Sequence, residues 1–416
     1  SLTLRRVTSP EPQFGQNPRR AQLLIVIGVV LLAFNLRPAA VSVGPALAEI
    51  SAALRLSGIE QGVLTSLPVV AFACFGALTP KLAQALGSHR LTLIALIAAV
   101  AGMLGRSLAP DPWLFLTLTL VALSGMATAN VLMPSLVKRH FPDRIGLMTA
   151  VYSTVLALGL TVASVLTVPI AEQFGGWRYG LAVWAATAAI AVLPWIALVA
   201  HDRRDAAASA EQRISLSAVA RTRLGWVMAL FFGLQSLHAY VIFGWFANLY
   251  RSAGFSAAEA GLLLGVITGI SIPLSFIVPA LSVKQRLQVP MLTALIGCYV
   301  VGYLGLLIAP AQGALAWALL VGIGTSTFPM ILTLIGLHAR TTAGTAALSG
   351  FTQSVGYLIA ALGPFLIGVL HDLTGGWTVP LVLLLVLTAP MWWAGVLATR
   401  PGAIEDRLPG SPPSAT

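Results

Sequence analysis

Long apolar segments and short polar breaks alternate along the whole of this 416-residue chain. The breaks carry charges or are rich in Gly and Pro. An α-helix needs about 20 residues to cross roughly 30 Å of hydrocarbon. The pattern therefore predicts twelve membrane-spanning helices, numbered here as spans 1 to 12, at 21–48, 58–80, 91–108, 113–136, 146–172, 179–200, 224–250, 258–282, 289–309, 314–337, 344–371 and 378–399.

The amino-acid composition supports this interpretation. Hydrophobic residues make up 57% of the chain and charged residues 9%, whereas soluble domains carry about 25% charged residues. Too few charges are present to keep a folded chain of this size in solution. We therefore predict an all-α integral membrane protein that resides in the lipid bilayer.

Lys and Arg are distributed unequally between the loops. The even-numbered loops and both termini carry most of them, and the odd-numbered loops have only Arg55, Arg106, Arg178 and Arg251. Because cytoplasmic loops retain positive charge, this predicts a multi-pass protein of the cell inner membrane with both termini in the cytoplasm. The same asymmetry accounts for most of the net charge of +11, so nucleic acid is not expected as a partner.

The chain divides into two halves that repeat one another. The pattern S-x-x-E-x-G at 57–62 recurs at 256–261, an offset of 199, and G-G-W at 175–177 recurs at 375–377, an offset of 200. The S-x-x-E pattern is a capping box, so Glu60 and Glu259 are interpreted as helix caps, with gating groups as the alternative. We predict two pseudo-symmetric six-helix bundles. The domains are a cytoplasmic tail 1–20, a bundle 21–200, a cytoplasmic linker 201–223, a bundle 224–399 and a cytoplasmic tail 400–416.

Arg37 interrupts the apolar run of span 1, beside Pro38. A charge at this depth costs about 2.5–3.5 kcal/mol unless it faces a partner or water, so its side chain is expected to point into the bundle. One interpretation is that the guanidinium binds an anionic or strongly polar substrate with its forked donors. The alternative is that it hydrogen-bonds backbone carbonyls left free around Pro38 and locks the kink. Because no acid lies in the middle of a span, a cavity around Arg37 would favour anions.

Several short elements together resemble one family of secondary transporters. They are Phe34-Asn35-Leu36-Arg37-Pro38, Ser42-Val43-Gly44-Pro45, Leu64-Thr65-Ser66-Leu67-Pro68, Leu234-Gln235-Ser236, and Gln353 with Gly356-Tyr357 and Gly363-Pro364. They look like the cyanate permease and 2-nitroimidazole transporter family of the major facilitator superfamily. The resemblance implies a site near the bilayer midplane, between halves that rock to expose it to each side in turn. It also implies a small polar or anionic solute, with a multidrug or metabolite exporter of the same fold as the alternative.

Polar and aromatic residues within other spans are further candidates for the substrate site, because lipid cannot satisfy them. In span 7, Gln235, His238 and Trp245 share one helical face, with Tyr240 to its side. The remaining candidates are Asn130 in span 4, Tyr152 in span 5, and Gln353 and Tyr357 in span 11. The alternative for each is hydrogen bonding between helices. His238 is also the candidate for proton coupling, because imidazole titrates near neutral pH.

Motifs that would indicate an enzyme are absent from the sequence. It contains no H-E-x-x-H, no P-loop, no paired carboxylates within a span and no nucleophile with a base partner. We therefore expect no enzymatic activity, no cofactor and no metal. The expected partners are a small-molecule substrate and the bilayer, and the protein is expected to act as a monomer.

Overall fold

The computed structural model describes residues 18–141, 144–200 and 215–407, and these residues form helices joined by short turns. In the described ranges the helices are α1 Pro18–Asn35, α2 Pro38–Val41, α3 Leu47–Leu54, α4 Gly58–Leu86, α5 Ser88–Leu108, α6 Pro112–His140, α7 Ile145–Phe174, α8 Trp177–Ala200, α9 Leu216–Ala220, α10 Arg223–Ser252, α11 Ala257–Gly269, α12 Ser271–Ser282, α13 Gln285–Ile308, α14 Ala314–Gly324, α15 Thr327–Leu337, α16 Thr342–Thr374 and α17 Thr378–Ala398, followed by a 3₁₀ turn Glu405–Arg407.

The twelve predicted membrane-spanning helices are confirmed. Spans 2 to 6 are α4 to α8, span 7 is α10, span 9 is α13, and spans 11 and 12 are α16 and α17. Three spans are broken in two: span 1 into α1 and α2, span 8 into α11 and α12, and span 10 into α14 and α15. The break in span 1 has a local cause, because Pro38 has no N–H to donate to the carbonyl four residues earlier.

One basic residue lies elsewhere than its loop assignment predicts. Arg106 belongs to the last turn of α5, and its side chain is fully buried. The prediction that it is a loop charge is therefore wrong, since hydrogen bonds to span 1 hold it inside the bundle. Arg55, by contrast, follows α3 in a left-handed conformation with φ of 56°.

Equivalent caps begin and end helices in both halves. Ser57 at the start of α4 and Ser256 at the start of α11 each accept a hydrogen bond from the backbone N–H of the Glu three residues later, whose carboxylate accepts from the Ser backbone N–H. Both capping boxes are thus confirmed. At the other end, Gly175 and Gly375 close α7 and α16 with φ of 91° and 65°. Glycine is favoured at these positive angles because it has no Cβ to clash.

The two halves meet mainly through α4 against α16 and α7 against α11. At the end where α4 and α11 begin, called here the closed end, the contacts are tight. A Cβ at Gly62 would lie 3.0 Å from the carbonyl oxygen of Phe365, and Ser66 Oγ donates to the carbonyl of Ala361 at 3.0 Å. Glycine thus lets α4 and α16 approach closely and shut this end of the interface.

An ion pair also crosses between the halves at the closed end. The Nη1 of Arg251, at the end of α10, lies 2.6 Å from Oε1 of Glu49 in α3. Ser42 and Asn35, seven and fourteen positions before Glu49, also contact neighbouring helices.

The segment 400–407 docks beside the start of α16. The backbone N–H of Arg340 donates to both carboxylate oxygens of Glu405 at 3.1 Å, and that of Thr341 donates at 2.9 Å. The Arg340 guanidinium also binds both oxygens of Asp406, at 2.5 and 2.7 Å. Burial raises the pKa of Glu405, but the backbone hydrogen bonds outweigh it and hold that pKa below its ordinary value.

The outer surface of the bundle is apolar, as a lipid-facing surface must be. Large hydrophobic side chains such as Ile97, Leu193 and Val386 are exposed on it. Buried polar side chains lie instead between helices. The polar chemistry of the molecule is therefore concentrated in its interior.

Candidate functional site

Arg37 sits at the break of span 1, where helical hydrogen bonding restarts. It is the N-cap of α2, and its carbonyl accepts from the backbone N–H groups of Ala40 and Val41 at 3.0 and 3.1 Å. Its side chain is half-buried. The broken helix thus presents this side chain inside the bundle.

The guanidinium of Arg37 points across the interface between the two halves. Its Nη1 donates to the hydroxyl of Tyr240 on α10 at 3.4 Å. Its Cζ lies 5.2 Å from the ring centroid of Phe72 on α4, within the range of a cation–π interaction. Among the described residues, no backbone carbonyl around Pro38 accepts a hydrogen bond from Arg37. The geometry therefore differs from that of the kink-locking alternative.

Aromatic rings from both halves surround the guanidinium. Tyr357 of α16 is 5% exposed, and its ring centroid lies 5.4 Å from Phe72 and 6.3 Å from Tyr240. Phe232 of α10 packs edge-on against Tyr357 at 5.1 Å. We call Arg37, Phe72, Tyr240 and Tyr357 the Arg37 cluster. Two of its members belong to each half, so any relative motion of the halves rearranges it.

A small cavity adjoins the Arg37 cluster on the side of the closed end. Arg37, Thr65, Thr119 and Tyr240 are among the residues that line it. Its volume is about 20 Å³, which is room for roughly one or two water molecules. Thr119 is fully buried, and its hydroxyl has no hydrogen-bond partner in the described structure. The cavity thus combines a cation with a hydroxyl free to bind.

His238 lies away from this cavity, in the interior of the second half. Its Nδ1 is 2.8 Å from the hydroxyl of Tyr303 on α13, and its ring lies 5.1 Å from Tyr299 and 5.6 Å from Tyr303. The side chain is completely buried, and its Nε2 has no partner among the described residues. The structure therefore places His238 between α10 and α13, and its role in proton coupling stays a prediction.

The other two members of the predicted face of α10 also make their contacts within the second half. The Nε2 of Gln235 donates to the hydroxyl of Ser236, and Nε1 of Trp245 donates to the carbonyl of Pro364 on α16 at 3.0 Å. Both side chains are 1% exposed. Of the candidates on α10, the structure brings only Tyr240 to Arg37 within the described residues.

The three remaining candidates, Asn130, Tyr152 and Gln353, are half-buried. Tyr152 packs on a hydrophobic cluster in the core of the first half. The Nε2 of Gln353 donates to the hydroxyl of Ser349, one turn earlier on α16, at 2.8 Å. Asn130 lies on α6. Within the described structure none of the three hydrogen-bonds a member of the cluster, and their contact with substrate stays a prediction.

Comparison with known proteins identifies the family. The sequence profile described as "Major Facilitator Superfamily" matches residues 23–364. The chain belongs to the major facilitator superfamily. It is 37% identical to "Uncharacterized transporter YycB" of Bacillus subtilis (strain 168) over 92% of the chain and 95% of that protein. This membership confirms the expected fold and the assignment to multi-pass membrane transporters of small solutes.

Two relatives match the narrower resemblance predicted from the N-L-R-P and Q-S elements, which is thereby confirmed. A "2-nitroimidazole transporter" of Escherichia coli (strain K12) is 35% identical, with coverage of 91% of this chain and 96% of the relative. The "Cyanate transport protein CynX" of the same organism is 29% identical, with coverage of 85% and 91%. Among solved structures, that of a mutant of the nucleoside transporter NupG superposes with a TM-score of 0.75 at 12% identity, covering 90% of this chain and 100% of that one. At that identity it shows the fold alone.

The sequence alone did not identify three residues that the structure places in or near the site. Phe72, Thr119 and Arg106 lie in apolar runs and carry no motif. Phenylalanine and threonine are common in transmembrane helices, so only the fold shows that Phe72 contacts Arg37 and that Thr119 lines the adjoining cavity. Arg106 did carry a signal, because it precedes the end of its predicted span by two residues.

Proposed function

We propose that this transporter moves a small polar or anionic solute, cyanate-like or nitroimidazole-like, by alternating access, and that Arg37 binds it. The observation that carries the proposal is the direction of the Arg37 guanidinium, which faces Tyr240 across the interface between the halves. A solute held there touches both halves. Its binding is therefore coupled to their relative motion, as alternating access requires.

The electrostatics of the site favour an anion or an electron-rich heterocycle. A guanidinium has five N–H donors, and one of those of Arg37 reaches Tyr240. No carboxylate pairs with Arg37 in the described structure, so donors remain for a ligand. The Phe72 and Tyr357 rings give a flat solute surfaces on which to stack. The names of the two relatives, a 2-nitroimidazole transporter and a cyanate transport protein, support both solute types.

The structure corresponds to a state in which one side of the bundle is shut. Glycine contacts and the Glu49–Arg251 ion pair join the halves at the closed end. With the termini assigned to the cytoplasm by the distribution of Lys and Arg, the closed end faces outward. The cavity of about 20 Å³ is far below the 300–1,000 Å³ of a typical small-molecule site. Substrate therefore reaches Arg37 only when the halves separate further.

A thermal-shift panel tests this proposal directly. Cyanate, 2-nitroimidazole and 4-hydroxybenzoate are added to the purified protein, with the cation choline as control, because a ligand that binds only the folded state raises its melting temperature. We expect a concentration-dependent rise with at least one of the first three and none with choline. Arg37→Ala should abolish the rise without unfolding the protein, and Arg37→Lys should restore little of it because the fork is lost.

Flux measurements in proteoliposomes then test transport itself. The solute that shifts the melting temperature should cross the membrane with the wild-type protein and not with Arg37→Ala. Normal flux through the alanine variant would contradict the binding role of Arg37. Runs in both directions, with and without an imposed pH gradient, distinguish import from export and coupling from uniport. If His238→Gln loses the flux driven by the pH gradient but keeps the flux measured without a gradient, proton coupling through His238 would be supported.

A further inference from the structure

Arg106 is a fully buried cation without a carboxylate partner among the described residues. Burying a guanidinium without such a partner is costly, so its hydrogen bonds must offset much of the lost hydration. Its Nη1 donates to the carbonyl of Ala39 at 2.8 Å and its Nη2 to the hydroxyl of Ser42 at 3.3 Å. Both acceptors lie in or directly after α2, just beyond the break of span 1.

The other side of that break is held by a second polar contact. The Nδ2 of Asn35, the last residue of α1, donates to the carbonyl of Thr187 on α8 at 3.2 Å. The hydroxyl of Thr187 donates in return to Oδ1 of Asn35 at 2.7 Å. Arg37 therefore lies between two fixed points, one on α8 and one on α5. Without such contacts α2 could rotate relative to α1 at the break.

The geometry of α2 shows why these contacts matter for Arg37. At about 100° per residue, Ser42 is rotated by roughly 140° from Arg37 around the helix. Arg106 thus binds the face of α2 that is nearly opposite the face carrying Arg37. Holding Ser42 against α5 directs Arg37 away from α5 and toward Tyr240 of the second half.

The second half contains a contact at the matching position. His238 corresponds to Ala39 by the repeat offset, since 238 minus 39 is 199. It too is buried and contacts the third span of its own half, through Tyr303 of α13. In both halves a buried polar contact therefore joins the first span to the third at the same depth. The contact in the first half differs in holding a broken helix, whereas α10 continues unbroken through His238.

We infer that Arg106 is a positioning residue for Arg37: its hydrogen bonds to Ala39 and Ser42 fix the break of span 1 so that the Arg37 guanidinium points into the interface between the halves. The inference rests on the proposed function for the role of Arg37 in binding. It predicts that loss of Arg106 weakens substrate binding although Arg106 does not itself touch the cavity.

Arg106→Met tests this inference, because methionine is long and apolar and leaves no unpaired buried charge. We expect its melting temperature to remain within a few degrees of wild type and its Kd for 2-nitroimidazole and for cyanate to rise at least tenfold. Ser42→Ala, which removes one of the two acceptors, should give a smaller rise. Arg178→Met is the matched control. The Arg178 guanidinium also binds backbone carbonyls near this end of α5, those of Ser107 and Ala109, at 3.2 and 3.1 Å.

A double-mutant cycle separates positioning from general stabilisation. If Arg106 acts through Arg37, Arg106→Met should change the Kd little in an Arg37→Lys background. If Arg106→Met instead destabilises the protein in general, it should raise the Kd of the Arg37→Lys protein further. Hydrogen exchange of the 35–46 segment gives a readout without ligand. It should accelerate in Arg106→Met and remain unchanged in Arg178→Met.

The outcomes distinguish the two proposals. Unchanged Kd and unchanged exchange in Arg106→Met would overturn the positioning role, even if Arg37→Ala abolishes binding. Normal binding by Arg37→Ala would instead overturn the proposed function. In that case, accelerated exchange in Arg106→Met would show that Arg106 holds the break, and unchanged exchange would refute that as well.

Discussion

The ion pair between Glu49 and Arg251 should bias the transporter toward the state that is shut at the closed end. It joins the halves at 2.6 Å, and it must break when that end opens. Glu49→Gln removes the charge and keeps the shape of the side chain. We therefore expect this substitution to raise the population of molecules that are open at the closed end.

The magnitude follows from the exposure of the pair. The side chains of Arg251 and Glu49 are 28% and 38% exposed, so solvent screens the interaction, and exposed pairs contribute about 0.2–1 kcal/mol. The contact is short, and the second carboxylate oxygen of Glu49 is buried and has no partner in the described structure. Both features favour a value near 1 kcal/mol, the upper end of this range. A change of about 1 kcal/mol alters the ratio of the two states roughly fivefold. Raising the ionic strength to about 1 M should reduce the effect, because the Debye length falls to about 3 Å.

Pulsed electron paramagnetic resonance can measure this ratio. Spin labels at Ala53 and Ser252, which are exposed and lie on opposite halves near the pair, report the width of the closed end. Glu49→Gln and Arg251→Gln should each shift the distance distribution toward longer values, and the double variant should shift it no further than either. Equal distributions in all four proteins, or fully additive shifts, would refute a coupling between these two side chains.

Three further expectations concern other contacts. Gly44→Ala would place a methyl group against the carbonyl oxygen of Phe243, so the same labels should show a wider closed end, and an unchanged distance would contradict this. Thr119→Val should weaken ligand binding about 2- to 13-fold, which corresponds to the 0.5–1.5 kcal/mol of a hydrogen bond, and should leave the melting temperature unchanged. Thr352→Val is the control, because the hydroxyl of Thr352 is also buried and unpartnered in the described residues. Equal Kd values in the two variants would exclude a contact between the ligand and Thr119. Because the pKa of Glu405 is lowered in the folded state, its carboxylate stabilises the docked segment 400–407 above the ordinary pKa and loses that effect as pH falls through the lowered one. Protease sensitivity of this segment should rise in acid, and in Glu405→Gln it should be high at every pH; equal protection of the two proteins at neutral pH would refute this role.

The architecture was accessible from the sequence because it depends on local and periodic signals. Span length, charge distribution and repeated caps each act within a few turns of helix, and the capping boxes at Ser57 and Ser256 form as their spacing predicts. The break in span 1 likewise follows from Pro38. Such features need no knowledge of which helix packs against which.

The site was only partly accessible, because it depends on packing between distant segments. Arg37 could be identified from its cost in a membrane, but its partners Phe72 and Tyr240 lie 35 and 203 positions away. His238 and Tyr240 are two residues apart on one helix, and periodicity favoured the face of His238. In the structure His238 Nδ1 bonds to Tyr303 inside the second half, and Tyr240 faces Arg37. Both side chains are polar and avoid lipid, so polarity alone could not show which of them contacts a neighbouring helix and which faces the cavity.

The central claim is that substrate binds between the halves at Arg37, and an experimental structure with a bound ligand tests it most directly. With 2-nitroimidazole or cyanate present at saturating concentration, we expect ligand density in contact with the Arg37 guanidinium and with Tyr240 or Tyr357, so that both halves touch it. Density that instead lies wholly within one half, for example beside His238, with Arg37 still bonded to Tyr240 and no ligand against it, would contradict the claim.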